Sequence, residues 1–215
     1  MELYNSNNGS GIFIQIGAGA GDLDKRANCR DGFTEFVKKI PREHIKKIIL
    51  VEPNPLNIPL LKECWKDYPE STIYEIGIVP KNYQENTIDF YYCPEDSPHY
   101  QVASIKKSHI YKHYGDNCKL EKFIIPVKYL QDFINEVTTE EIELLALDIE
   151  GIDGEILLDI NFNNLNLKYL SFEYVHLDEN RENVINHLNN SNYQFLGSGV
   201  DHNGFDYLYI NSSCK

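Results

Sequence analysis

Short apolar runs alternate with stretches whose apolar residues recur at helical spacing, and the alternation extends from Ile12 to Ile210. The first run, Ile12 to Ile16, predicts a strand. Phe33, Phe36, Val37 and Ile40 predict a helix over Gly32 to Ile40, stopped before Pro41. The polar segment Asp22 to Asp31 between them reads as a loop over a pocket mouth. A second strand is predicted at Lys47 to Val51. Pro53 and Pro55 then punctuate a turn into a helix over Asn57 to Asp67, carrying Leu60, Leu61 and Trp65. Further strands are predicted at Thr72 to Ile78 and Thr87 to Tyr92. The pattern lapses from Cys93 to Cys118, a stretch holding His99, Tyr100, His109, Tyr111, His113 and Tyr114. That is long for a structureless loop, so it is read as functional, partly helical, or both.

After Pro126 a helix is predicted at Lys128 to Val137. Glu143 to Leu147 is nearly continuous in apolar character, as a parallel strand buried on both faces requires. A helix is expected from about Asp153, a strand at Tyr169 to Phe172 and a helix at Glu179 to Asn189. Tyr193 to Gly197 and Asp206 to Ile210 close the chain as antiparallel strands. Strands alternating with helices predict an α/β sheet covered on both faces.

With 215 residues, 42% hydrophobic and 25% charged, the chain reads as one globular domain, residues 1–215. The formal net charge of -13 argues against nucleic acid and an anionic membrane surface as partners, because both are held by Lys and Arg. No apolar run approaches the roughly 20 residues that span a bilayer, and residues 1–10 lack the features of a signal peptide. Cys29, Cys64, Cys93, Cys118 and Cys214 are scattered and contain no C-x-x-C pair, which suggests free thiols and a cytoplasmic location.

Gly17, Gly19 and Gly21 follow the first strand directly, and Glu52 ends the second. Glycines there let a ligand approach the backbone, and an acidic strand end can grip two ribose hydroxyls. A dinucleotide fingerprint reads G-x-G-x-x-G. Here the third glycine comes one position early, and Asp22 stands where the last glycine would be. A carboxylate there repels a pyrophosphate and suits a ligand with a cationic end, such as S-adenosyl-L-methionine. Plain turn chemistry is the alternative for the glycines. In such sheets ligands bind outside the carboxyl ends of the strands, here read as Gly17, Glu52, Gly77, Asp148 and Glu173.

Three motifs in this order resemble the FkbM-type class I S-adenosylmethionine-dependent methyltransferases. They are Gly17-Ala18-Gly19-Ala20-Gly21-Asp22, Val51-Glu52-Pro53-Asn54-Pro55 and Leu147-Asp148-Ile149-Glu150-Gly151. Ile125 to Asp132 and Asp206 to Ile210 are weaker matches. The resemblance covers nearly the whole chain, and Asp22 to Asp31 departs from it as an apparent insertion. It implies a Rossmann-like α/β sandwich with a mostly parallel seven-stranded sheet whose last strand is antiparallel. It also implies methyl transfer to a hydroxyl oxygen, with many members acting on sugars or glycosylated metabolites.

The cofactor-binding set is Gly17, Gly19, Gly21, Asp22, Glu52, Pro53, Asn54, Gly77, Ile78 and Asp148, for S-adenosyl-L-methionine. Glu52 would hold the ribose hydroxyls, or be merely solvated. Asp22 would partner the ammonium, or serve as a turn or capping residue. The catalytic set is Asp148, Glu150, Glu173 and His176. Asp148 would take the acceptor hydroxyl's proton as general base, the alternative being a buried acceptor for its own loop. Glu150 would pair with it or cap the next helix, and His176 would be the base or a surface histidine.

No metal ligand set is assigned. Asp148, Glu173 and His176 could bind a divalent cation that orients a diol, but no tight ligand spacing supports one. Tyrosines between His99 and Tyr114 would form an acceptor wall or pack on the domain edge. The expected partner is a small-molecule or glycan acceptor. A nicotinamide-dependent oxidoreductase and a non-catalytic S-adenosylmethionine-binding module remain as alternatives.

Overall fold

The computed structural model describes residues 10–23, 31–96, 102–201 and 204–214. The predicted loop at 22–31 therefore falls largely outside the described residues, as do Cys29, His99 and Tyr100. Six strands of a seven-stranded sheet run parallel and one runs against them. They are β1 (Gly11–Ile16), β2 (Ile45–Val51), β3 (Ser71–Tyr74), β7 (Ile142–Leu147), β8 (Leu167–Glu173), β9 (Tyr193–Ser198) and β10 (Asp206–Asn211), in the order β3-β2-β1-β7-β8-β10-β9. β10 is antiparallel to both of its neighbours. This is the Rossmann-like arrangement expected from the sequence.

Side chains of β1 divide by parity, because successive residues of a strand face opposite ways. Ile12, Ile14 and Ile16 pack with α4 (Leu130–Val137), α5 (Asp153–Asp159) and α6 (Arg181–Asn190), through residues such as Phe133, Ile156 and Leu188. Phe13 faces the other layer, formed by α1 (Gly32–Lys38) and α2 (Ile58–Cys64), with Phe33, Val37, Leu61 and Trp65. β1, β2 and β7 are buried on both faces, which explains their unbroken apolar runs. β1 lies between β2 and β7, so the chain turns to opposite sides of the sheet at the β1–β7 boundary. A cleft opens at the carboxyl ends of strands at such a reversal.

Two expectations are corrected. The predicted strand Thr72 to Ile78 is two strands in different sheets, β3 and β4 (Gly77–Val79). Gly77 therefore opens a strand of a second sheet and does not end one in the main sheet. The predicted helix at Lys128 begins at Leu130, because Lys128 and Tyr129 end β6 (Glu121–Tyr129).

β4, β6 and β5 (Thr87–Tyr92) form a three-stranded sheet, with β5 antiparallel to β6. β6 escapes detection because it is half exposed and carries Pro126, which reads as a break. The described residues of the Cys93 to Cys118 stretch include α3 (Lys107–Tyr114). No helix among the described residues is long and apolar enough to cross a membrane.

The two sheets predict different costs of truncation. Ile14 is fully buried at the sheet centre, whereas Ile124 on β6 is 72% exposed. Ile14→Ala is expected to cost about 2–5 kcal/mol in urea unfolding, and Ile124→Ala at most about 0.5 kcal/mol. Equal losses would contradict this division of core and surface.

Candidate active site

The ends of β1, β2 and β7 are tied together by backbone. Gly17 and Ala18 N–H both donate to Val51 O, at 2.9 and 3.0 Å, and Asp148 N–H donates to Ile16 O at 3.0 Å. Gly17 has φ of +83°, and a Cβ there would lie 1.7 Å from Asp148 O. Only glycine fits, because the chain leaving β7 passes directly against it. At Gly19, by contrast, a Cβ would meet nothing within 4 Å, so this glycine faces open space.

Glu52 reaches back into that loop. Its Oε2 accepts from Gly19 N–H at 2.7 Å, and its Oε1 accepts from Asn54 N–H at 2.8 Å and Asn57 Nδ2 at 3.3 Å. The residue is 4% exposed. Burial pushes its pKa up to about 7, although the Asn54, Gly19 and Asn57 donors all pull it down.

A cavity of about 910 Å³ spans these strand ends. Gly17, Gly19, Gly21, Glu52, Pro53, Gly77, Ile78 and Asp148 line it, as do Glu150, Glu173 and His176. Asp22 and Asn54 do not belong to the lining. Asp22 pairs with Lys38 Nζ at 3.2 Å, and Asn54 Oδ1 accepts from Leu56 N–H at 3.0 Å, which shapes the turn after β2. Tyr111 and Tyr114 are also absent from the lining, and pack instead beside Cys93 and Ile110. His113, Phe90 and Ile125 supply that side of the cavity.

Gln15 and Asp31 line the cavity too, and the sequence reading missed both. Gln15 Nε2 donates to Asp31 Oδ1 at 2.8 Å, while Asp31 Oδ2 accepts from Thr34 N–H at 2.7 Å and caps α1. Gln15 Oε1 is buried without a hydrogen-bond partner among the described residues, as is Asn57 Oδ1. A lone polar residue inside an apolar strand, and an Asp just before a helix, are the signals that were available.

The opposite end of the cavity is acidic. Asp148 presents its side chain to the cavity and is reached by solvent there. Protein nevertheless surrounds it, and this desolvation raises its pKa well above the usual range. The charges of Glu150, Glu173, Asp153 and Asp206 push the same way.

Glu173 rises to about 9, from burial first and then from Glu150, Asp153, Asp206 and Asp201. Burial also lifts Asp206 to about 7 and Asp153 to about 6. His176 is lowered by burial, which the Glu150 charge partly opposes. Glu150 itself adopts a φ of +47°, uncommon for a residue other than glycine and a frequent mark of functional turns. Its Oε2 is 2.8 Å from His109 Nε2. His113 lines the cavity and His109 stands behind Glu150; both belong to the stretch read from the sequence as an acceptor wall or a packed edge, with no individual role given to either.

The methyltransferase FkbM domain family matches the chain over residues 15–204. Among solved structures, the chain is similar to the methyltransferase FkbM from Methylobacillus flagellatus KT, with a TM-score of 0.53 and 16% identity. That match covers 94% of this chain and 43% of the other, so the chain spans less than half of its length. A human methyltransferase 10 domain containing protein matches with a TM-score of 0.48 and 10% identity, over 97% of this chain and 75% of that one. A putative methyltransferase from Streptococcus mutans, solved in complex with SAH, matches with a TM-score of 0.46 and 10% identity, over 94% of this chain and 89% of that one. None of the curated proteins compared matches the chain. The family match covers most of the chain and includes every strand end around the cavity except those after residue 204, and the chain belongs to the methyltransferase FkbM domain family.

Proposed function

We propose that the chain methylates a hydroxyl oxygen of a small-molecule or glycan acceptor, a sugar hydroxyl above all, using S-adenosyl-L-methionine. The observation that carries this reading is one cavity holding two unlike sets of groups. Glu52 and the open Gly19 line it together with the acidic and imidazole groups of Asp148, Glu173 and His176.

The residues fit the cofactor. Glu52 Oε2 accepts one protein hydrogen bond and has capacity for a ribose hydroxyl. Buried Asn57 Oδ1 and Gln15 Oε1 are unpartnered acceptors in the same lining. The acidic end suits the cationic end of the ligand. When bound, S-adenosylmethionine supplies an electrophilic methyl group on a sulfonium.

The chain's own residues then hold, orient and deprotonate. Gly17 to Gly21 admit the ligand close to the backbone, and Gly77 and Ile78 close the side of the cavity. Asp148 faces the acceptor and takes the hydroxyl proton as the oxygen is methylated. Glu173 and His176 orient the acceptor from β8. Much of the acceleration in such a displacement comes from alignment. The nicotinamide alternative would share the Glu52 contact, but its pyrophosphate is disfavoured by the acidic lining. A non-catalytic module would bind the cofactor and methylate nothing.

Thermal unfolding with S-adenosylhomocysteine and with NAD separates the ligand classes. At about 100 times its dissociation constant, a ligand binding only the native state adds roughly 2.7 kcal/mol. The stabilisation is expected with S-adenosylhomocysteine, not with NAD, and is lost in Glu52→Ala. A response to NAD alone would refute the reading.

The raised pKa of Glu52 gives a pH dependence with a definite sign. A carboxyl raised from 4.5 to about 7 favours the fold while protonated. That contribution, on the order of 3 kcal/mol, is complete below about 4.5 and lost as pH rises through about 7. A ribose diol binds the ionised form as a double donor. Affinity for 5′-methylthioadenosine, which has the diol and no ammonium, should therefore rise between pH 5.5 and 7 by roughly tenfold per unit and then level off. Isothermal titration across this range should show the slope in the parent and a flat profile in Glu52→Gln.

With any saccharide acceptor that supports methyl transfer, Asp148→Asn should lower kcat by about 10²–10⁴-fold, the usual share of a general base. S-adenosylhomocysteine should still bind the variant. An unchanged kcat would remove Asp148 from proton transfer.

A further inference from the structure

Three imidazoles meet at the acidic end of the cavity. His109 and His113 sit one turn apart on α3, and His176 follows β8. Ring centroids are 4.8 Å apart for His109–His113, 4.8 Å for His109–His176 and 5.7 Å for His113–His176. One ring nitrogen of each lies within 4.8 Å of the other two, and Glu150, Glu173 and His176 form a second such triad. We propose that His109, His113 and His176, flanked by Glu150 and Glu173, form a binding site for one divalent transition-metal ion of the zinc or cobalt class.

The site is built rather than incidental. The Glu150–Gly151 turn is fastened to the start of α3 by Ser104 Oγ, which donates to Glu150 O at 2.8 Å, and by Lys106 Nζ, which donates to Gly151 O at 3.0 Å. A Cβ on Gly151 would lie 2.7 Å from His109 Nδ1, so glycine is what lets this ring approach the turn. Glu150 Oε2 lies 2.8 Å from His109 Nε2, so an ion bound at this nitrogen would have the Glu150 carboxylate within reach as a further ligand.

Two buried polar atoms point to a missing partner. His176 Nδ1 and Glu173 Oε2 make no hydrogen bond among the described residues, Glu173 Oε2 standing 3.7 Å from His176 Nε2, and the two side chains are 16% and 13% exposed.

Donor chemistry selects the ion. Imidazoles with carboxylates suit zinc, cobalt, nickel and their neighbours, whereas magnesium and calcium demand oxygen shells. Nitrogens on a tetrahedral zinc stand roughly 3.3 Å apart at Zn–N of about 2.05 Å, so modest ring rotations complete the shell. His113 and His176 line the cavity, which leaves the remaining coordination position facing it. That position would hold an acceptor oxygen beside Asp148. This role rests on the methyl-transfer reading, whereas metal binding itself does not.

The test is cobalt titration of the full chain, followed by visible absorption and by elemental analysis after dialysis. The expected result is about one cobalt per chain, displaced by zinc, with ligand-field bands of nitrogen and oxygen donors. His113→Ala and His176→Ala should each weaken binding by at least roughly tenfold. His187→Ala, whose ring hydrogen-bonds Ile160 O on the far side, should leave it unchanged. Unfolding midpoints without metal verify that the variants fold, and exposed His113 should be tolerated best.

Absence of binding, binding indifferent to both variants, or a sulfur-to-cobalt band placing the ion at Cys93 and Cys118 would overturn the proposal. Affinity for 5′-methylthioadenosine, measured on the same samples, keeps the two readings apart. If it is retained while cobalt fails to bind, the metal site falls and the cofactor reading stands. The reverse pattern sinks the cofactor reading alone.

Discussion

The Glu52 carboxylate ties the glycine loop after β1 to the turn that follows its own strand. It accepts from the glycine loop after β1 and from two positions of the turn that leads into α2. Those bonds fix the loop's open glycine in front of the cavity, yet they do not fully offset the cost of burying the charge. The unliganded protein therefore holds this group part-way between its two protonation states near neutral pH. A diol that donates to both oxygens supplies the solvation that burial removed. On the proposed reading structural strut and ligand hook are one group, so substitutions at Glu52 should perturb the loop and the pocket together.

Sheet topology decides what else reaches the cavity. β1 is central, and the chains leaving β1 and β7 pass close enough that Gly17 cannot bear a side chain. That approach places Asp148 directly across from the glycine loop. The small sheet adds Gly77, Ile78, Phe90 and Ile125 as a lateral wall, and the turn at Glu150 and Gly151 couples that wall's α3 to the end of β7. Residues from both sheets thus share one cleft, and its lining is set by backbone crossings more than by any single motif.

Much of this was legible in the sequence, for identifiable reasons. Strands buried on both faces announce themselves as unbroken apolar runs, so β1, β2 and β7 could be placed. Gly17, Glu52 and Asp148 follow them directly, where the fold puts ligands. What failed to show was non-local. β6 is half exposed and interrupted by Pro126, and its pairing with β5 leaves no periodic trace.

Asp22 was assigned to the cofactor on spacing alone, but Lys38, one helix away, pairs with it. The His109–His113 spacing, four residues on one helix face, was visible and went unused. The sequence gives no sign that His176 folds back onto that face. Gln15 was hidden in the same way, its role depending on Asp31, which caps a helix on the next layer.

The electrostatics of the cleft limit what can occupy it. Glu150, Glu173 and Asp206 all oppose ionisation of Asp148, and Glu150 and Asp206 oppose that of Glu173. Without a cation, the cheapest response is for some of them to stay protonated, which removes the base that methyl transfer to oxygen requires. A positive charge at this end lowers those pKa values and returns a carboxylate to service. A sulfonium and an ammonium would do so from the glycine-loop side, and an ion among the imidazoles would do so from the α3 side. On the proposed reading, the acidic groups act as a base only when the cleft is loaded. That links proton transfer to occupancy and guards the carboxylates against idle ionisation.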